Sequence, residues 1–217
     1  VRDGLRLGGG KLVDSLVHDG LWDPYGDKHM GSCAEICARE YSLSREVQDE
    51  YARESYARAR RAQESGLFAA EIVPVEIKTR KGTVVVDQDE EPGKSDLEKM
   101  AGLKPAFEKD GTVTAANASK INDGAAAVVL ATAAEAKRRG LRPIARLVAQ
   151  ASHAQKPEWF TTAPVVAIRK ALDRAGLSVV DIDLFEINEA FAVVALACMN
   201  DLGIAHQKVN VRGGAVA

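Results

Sequence analysis

Apolar and polar positions fall into three zones along the chain. In the first, to about Ser119, Ser44 precedes a long helical pattern in which Val47, Tyr51, Ala59 and Ala62 share one face, and Gly66 supplies the stop. Val73, Val75 and Ile77 then alternate as a half-buried strand does, and Gly82 turns the chain into a second strand over 83–86. Residues 87–93 read as an acidic loop ending in Pro and Gly, and Ser95 with Glu98 as a capping box for a short helix.

The second zone is brief. Residues 125–131 are a continuous apolar run suited to a buried strand, and Thr132 with Glu135 caps the helix that follows, which stops at Gly140. In the third zone strand and helix alternate. Residues 146–150 read as a strand, and a helix with Pro164 in its first turn carries Val165, Ile168 and Leu172 on one side. Residues 183–187 make the next strand, 189–202 a helix apolar nearly all round and hence buried, and Val209 and Val211 begin a third strand. Short strands joined by helical crossovers define an α/β chain, with a parallel or mixed sheet covered by helices.

Composition narrows the function classes. Apolar residues make up 46% of the 217, enough for a core. The charges nearly cancel, 29 basic against 31 acidic, which argues against a nucleic-acid surface or a basic membrane patch. No apolar run approaches the length of a membrane span, and no stretch has the layout of a signal peptide. Three cysteines, Cys33, Cys37 and Cys198, are too few for a disulfide scaffold; with the missing signal they predict a reducing, cytoplasmic setting. The start at Val1 and the break in Gly213-Gly214-Ala215-Val216-Ala217 predict an internal piece of a longer polypeptide. Gly8-Gly9-Gly10 neither follows a strand nor has Gly-x-Gly-x-x-Gly spacing, so a dinucleotide fold is a poor reading.

The most informative segment is Asn188-Glu189-Ala190-Phe191-Ala192, where a strand is expected to end and the buried helix to begin. Ligands gather at that edge of an α/β sheet. An amide there can donate to a developing oxyanion, or to a water that does so, with the helix N-terminus adding positive potential. The plain alternative is that Asn188 is the helix N-cap, since Asn is a favoured cap. His29, Cys33 and Cys37 have spacing that invites a metal reading. Gly31 and Ser32 are expected to interrupt the helix between them, and three ligands fall short of a closed zinc site, so no metal is expected.

Four ordered stretches resemble the thiolase family. They are His29-Met30-Gly31-Ser32-Cys33-Ala34-Glu35; residues 111–119 (GTVTAANAS) with Asn122-Asp123-Gly124-Ala125-Ala126; Asn188-Glu189-Ala190-Phe191; and Val209-Asn210-Val211-Arg212-Gly213-Gly214-Ala215. Together they cover essentially the whole chain, and the first resembles the acetoacetyl-CoA-specific branch.

The resemblance implies a thiolase-like fold: a coenzyme A-binding loop domain over 1–121, a closing strand and helix of the N-terminal core over 122–142, and the first part of the C-terminal core over 143–217. It also implies acyl transfer through an acyl-cysteine, acting on acetyl-CoA, acetoacetyl-CoA and CoA as substrates with no prosthetic group, in a homotetramer or dimer. Asn188 matches the asparagine that positions a water in an oxyanion hole. His29, Met30, Phe107, Ala115, Ala118, Ser119 and Phe191 match coenzyme A contacts, and Phe160 a position beside the acyl pocket. For His29 the plain reading is a loop histidine, and for Phe107, Phe160 and Phe191 core aromatics. The nucleophilic cysteine is expected upstream of Val1, and the partner histidine and acid/base cysteine beyond Ala217.

The chain also departs from the family pattern. The arginine that stacks on adenine near Pro92 and Gly93 is missing, leaving Lys94 or Lys99 to compensate by charge without a flat stacking surface. So is the tyrosine that in some members joins carbonyls matching Ala115, Ala116 and Ala118 at a potassium ion. Two further functions stay open: a longer-chain 3-ketoacyl-CoA thiolase, and a non-catalytic coenzyme A or lipid-carrier module of the same fold.

Overall fold

The structure is a computed structural model and describes residues 10–217; Gly8 and Gly9 of the glycine run lie outside the described residues. A turn of π-helix, Leu16–Gly20, leads into a short antiparallel hairpin of β1 (Trp22–Asp23) and β2 (Lys28–His29), with Trp22 opposite His29. Helix α1 (Met30–Glu40) follows at once, capped by His29, whose Nδ1 accepts from the Gly31 amide at 2.9 Å. Gly31 and Ser32 therefore lie inside the helix and do not interrupt it, because the imidazole nitrogen satisfies one of the donors a helix start leaves open.

Helix α2 (Arg45–Glu64) starts at Ser44, whose Oγ accepts from the Val47 amide. Tyr51, Ala59 and Ala62 are buried as expected, but Val47 is exposed. In that first turn Gln48 and Asp49 take the inner positions, since both are needed as hydrogen-bond partners there. The inner face of α2 interleaves the polar Gln48, Asp49, Ser55 and Arg58 with Tyr51, Ala52, Tyr56, Ala59 and Ala62. Gln48 donates to Leu43 O and Thr112 Oγ1, and Asp49 accepts from Asn117 Nδ2. Arg45 holds the carbonyls of Met100 and Leu103, Arg60 those of Pro92 and Ser95, and Arg58 those of His206 and Val209. Several irregular segments, around 92–95, 100–103, 112–117 and 206–209, are fastened to this helix.

Strands β3 (Val75–Thr79) and β4 (Gly82–Val86) form a hairpin with Ile77 opposite Val84. Every residue in both strands is exposed, so the half-buried expectation fails, and Val73 lies outside the strand. A two-stranded ribbon with no layer packed on it has no inner face. The segment expected as a loop contains one helical turn, α3 (Glu91–Lys94). The next turn, the 3₁₀ helix Leu97–Gly102, is capped by Asp96 rather than Ser95, with Asp96 Oδ1 accepting from the Glu98 amide.

Helix α4 (Ala133–Arg138) is capped by Thr132 as expected, Oγ1 accepting from the Glu135 amide at 3.2 Å. The run before it is not a buried strand: Val128, Val129 and Leu130 are all exposed, and among the described residues no strand pairs with 125–131 or with 146–150. A strand is defined by its partner, and apolar sequence alone does not supply one. Helix α5 (Ala163–Ala175) has Pro164 in its first turn and buries Val165. Residues 183–187 contribute a single parallel bridge, Phe185 to Val209, sealed by Phe185 N to Lys208 O (2.8 Å) and Asn210 N to Phe185 O (2.9 Å). Helix α6 (Ala192–Leu202) begins three residues later than expected and is buried at Ala192, Val193, Val194, Ala195, Ala197 and Cys198. With Ala34 and Cys37 of α1, Tyr51 of α2, Val165 of α5, Phe185, Ile187 and Phe191, it makes the main core.

Candidate active site

Between the Phe185 bridge and α6 the chain runs through 186–191 without regular structure. The N-cap of α6 is Phe191, with no side-chain cap bond, and the Ala192 amide is satisfied instead by Asn117 O at 2.9 Å. Asn188 is therefore not the helix cap. Its side chain is exposed and, among the described residues, makes no hydrogen bond, while Ile187 and Glu189 on either side are buried.

Those two neighbours are held tightly. Asn210 grips the Ile187 backbone from both sides, Oδ1 accepting from its amide and Nδ2 donating to its carbonyl, each at 2.8 Å. Asn210 Nδ2 also donates to Glu189 Oε1 at 2.7 Å. The left-handed φ of Asn210 (47°) is one that asparagine tolerates. The Glu189 carboxylate further accepts from Tyr51 OH at 2.7 Å, Ser55 Oγ at 2.9 Å and the Val216 amide at 3.1 Å. The result is an unengaged amide on a fixed backbone, ready to donate outward with little reorganisation.

Beside this segment lies an aromatic group. His29 stacks on Phe107 with ring centroids 4.7 Å apart, Phe107 meets Phe191 edge-on at 6.0 Å, and Phe160 lies 6.4 Å from Phe191. Ala118 bridges Phe191 in antiparallel sense, and the Ser119 amide donates to Ala190 O at 3.0 Å, so the 117–119 segment runs alongside 190–192. Met30 packs against the same core. His29, Met30, Phe107, Ala118, Ser119, Phe160 and Phe191 are thus brought together around the segment that follows Asn188. Phe191 is buried, in keeping with a core aromatic; His29, Phe107 and Phe160 are half-buried. Ala115 is exposed, and its carbonyl accepts from Lys120 Nζ at 2.9 Å, an ammonium that also sits 5.1 Å from the centre of the Tyr56 ring.

The titratable groups sort themselves. Burial pulls His29 below its usual value, in keeping with a neutral ring whose Nδ1 accepts a hydrogen bond. Cys33, Cys37 and Cys198 are all fully buried, and burial pushes each thiol up, Cys198 to about 12. Such thiols are inert as nucleophiles. Among the described residues no group of three His, Cys, Asp or Glu is placed to hold a metal. Lys94 pairs with Glu90 and Glu91, and Lys99 with Asp96, all at 2.9 Å, so both candidates for the missing arginine are engaged locally. Arg212 faces Glu71 at 3.9 Å. A separate cleft of about 310 Å³ lies between α2 and the 212–217 turn, and no expected site residue lines it.

Sequence reasoning missed the supporting groups. Asn210 holds Ile187 and, with Tyr51, Ser55 and Val216, the Glu189 carboxylate on either side of Asn188; Glu35 accepts from the Thr112 and Val113 amides at 2.8 Å, fixing the start of the 112–119 loop. The signal was present in Glu189 and Glu35, two carboxylates set among apolar residues, where only a full set of donors makes burial tolerable.

Comparison with known proteins agrees with this architecture. The chain matches the N-terminal thiolase domain over residues 1–134 and the C-terminal thiolase domain over 141–217, and it belongs to the thiolase family. It is similar to an acetyl-CoA acetyltransferase of Yarrowia lipolytica, 56% identical over 99% of this chain and 54% of the relative. It is also 52% identical to acetyl-CoA acetyltransferase 2 of Arabidopsis thaliana, over 100% of this chain and 54% of that protein. Among solved structures, the Bacillus anthracis acetyl-CoA acetyltransferase superposes with a TM-score of 0.94 at 45% identity, covering 99% of this chain and 55% of that one. The Acat5 thiolase from Ascaris suum in complex with coenzyme A gives 0.92 at 45% identity, covering 100% and 56%. The fold is thiolase-like, and the chain spans about half the length of the relatives it matches.

Proposed function

We propose that the protein to which this chain belongs transfers acyl groups between coenzyme A thioesters, condensing two acetyl-CoA into acetoacetyl-CoA and CoA or running the reverse thiolysis. The relatives named as acetyl-CoA acetyltransferases support this, as does the Ascaris suum neighbour in complex with coenzyme A. The observation that carries it is the Asn188 amide, exposed and unengaged on a clamped backbone beside the His29–Phe107–Phe191 group.

In this reading Asn188 donates, directly or through a water, to the thioester oxygen as negative charge develops on it. His29, Met30, Phe107, Ala115, Ala118, Ser119 and Phe191 border the pantetheine arm, and Phe160 the acyl group. The Ser119 hydroxyl and nearby backbone groups serve the pantetheine amides. The acyl-cysteine forms on a thiol other than Cys33, Cys37 or Cys198, because all three are buried and none is activated. With those three thiols buried, the 217-residue chain alone is expected to turn over no thioester. Cytoplasmic placement and a dimer or tetramer belong to the same reading; no helix among the described residues is long and apolar enough to cross a membrane.

Calorimetric titration of coenzyme A into the chain, paired with a thioester-cleavage assay, tests this. Binding without cleavage is expected, while cysteine-dependent turnover or no binding would overturn it. Acyl-chain length is tested in the whole protein, where His29-Met30-Gly31 favours short substrates over long ones.

A further inference from the structure

Glu189 is fully buried, and its two oxygens take four donors from three parts of the chain. Oε1 accepts from Tyr51 OH and Asn210 Nδ2; Oε2 accepts from Ser55 Oγ and the Val216 amide. Ser55 Oγ in turn accepts from the Gly214 amide at 2.9 Å, so two amides of the 213–217 turn hang on this carboxylate, one directly and one through Ser55. Gly214 is pressed against it: a Cβ there would stand 2.5 Å from Oε1 and 2.6 Å from Oε2, so any side chain would displace the carboxylate. Burial, and then the Glu189 charge, push the Tyr51 phenol well up, which keeps it a donor. A buried carboxylate is tolerated when donors replace its water, and here they do.

We propose that Glu189 is a positioning residue: its carboxylate locks the 213–217 turn to the backbone on either side of Asn188, making the turn and the amide one rigid wall of the site. This rests on the acyl-transfer reading of Asn188. Asn210 extends the same lock to Ile187, so both neighbours of Asn188 are held.

Glu189→Gln is the discriminating variant. Its remaining oxygen can still accept from Tyr51 and Asn210, and its amide can donate to Ser55, but it sets an N–H against the Val216 N–H. Hydrogen exchange in the protein is therefore expected to speed up at Val216 and stay slow at Ile187 and Asn210. In the whole protein kcat is expected to fall roughly 10- to 100-fold, the scale of a small misplacement, with KM for the thioester unchanged. Combined with Asn188→Ala it should add no further loss, because the two act through one group.

Wild-type kcat in Glu189→Gln, or losses that add with Asn188→Ala, would overturn the proposal. Should Glu189→Gln fold poorly, Ser55→Ala removes the Gly214 tether together with the Ser55 donor to Glu189 Oε2, keeps Tyr51, Asn210 and the Val216 amide on the carboxylate, and is subject to the same cycle. A wild-type protein with no thioester chemistry would sink the acyl-transfer reading instead, leaving the exchange result to decide whether the lock exists.

Discussion

The rings of His29 and Phe107 stack 4.7 Å apart at 28° over the first turn of α1, and the Phe107 ring occupies the space a Cβ on Gly31 would need. The helix cap, the glycine behind it and the aromatic group of the candidate site are thus one device. The sequence His29-Met30-Gly31 therefore has a physical reading: the imidazole caps, the glycine leaves room, and Phe107 fills it.

Gly31→Ala should drive Phe107 off His29. The expected cost is about 1–3 kcal/mol, as for other overpacked sites, together with weaker coenzyme A binding. Denaturant unfolding and calorimetric titration read both effects. In a Phe107→Ala background the added methyl meets no ring, so Gly31→Ala should then cost little; an equal cost in both backgrounds would separate Gly31 from Phe107.

His29 predicts a pH dependence of stability. Its folded pKa lies below the ordinary 6.5 because burial disfavours the imidazolium. Above pH 6.5 both folded and unfolded states hold the ring neutral, and it adds no dependence. As pH falls below 6.5 the unfolded chain takes up the proton first, so stability declines until the folded pKa is passed. His206, lowered by burial and then by Arg58, acts in the same direction. Unfolding midpoints measured between about pH 7.5 and about pH 5.5 should drop, and His29→Asn, which keeps a capping side chain, should flatten the drop. A slope unchanged in that variant would remove His29 from the account.

Asn188→Ala separates catalysis from capping. Turnover of the whole protein should fall roughly 10²-fold, the scale for one oxyanion-hole donor. Stability should stay within about 0.5 kcal/mol of wild type, because the side chain is exposed and unbonded. A true cap would cost about 1 kcal/mol on removal and leave turnover alone.

The thiols give a simple count. Cys33, Cys37 and Cys198 are each fully buried with raised pKa values, so a thiol reagent should label none of them in the native chain at neutral pH and all of them after denaturation. Rapid labelling of any one in the native chain would contradict its burial.

What the sequence revealed, and what it hid, follows the range of the forces involved. Helices α2, α4 and α5 are legible because their period and start signals are local: Ser44, Thr132 and Pro164 stand where expected, whereas α6 is legible only in its apolar character and not in its start. The apolar run 125–131 and the strand–helix alternation that predicts a strand at 146–150 mislead, because among the described residues neither segment has a partner, and pairing is what makes a strand. The β3–β4 hairpin was legible in its turn and not in its burial, since alternation says nothing about whether a layer covers it. Asn188 was open to reading as a cap because Asn suits that position, whereas the donor at the head of α6 is met by the carbonyl of Asn117, from a segment far off in sequence. The Glu189 lock was hidden for the same reason: Tyr51, Ser55, Asn210 and Val216 meet only after folding.

A crystal structure of the whole protein with acetyl-CoA bound tests the central claim most directly. The pantetheine arm is expected to run past His29, Phe107 and Ser119, with the thioester oxygen within reach of Asn188 Nδ2, directly or through one water. A thioester bound elsewhere, or an Asn188 amide turned away from it, would contradict the account.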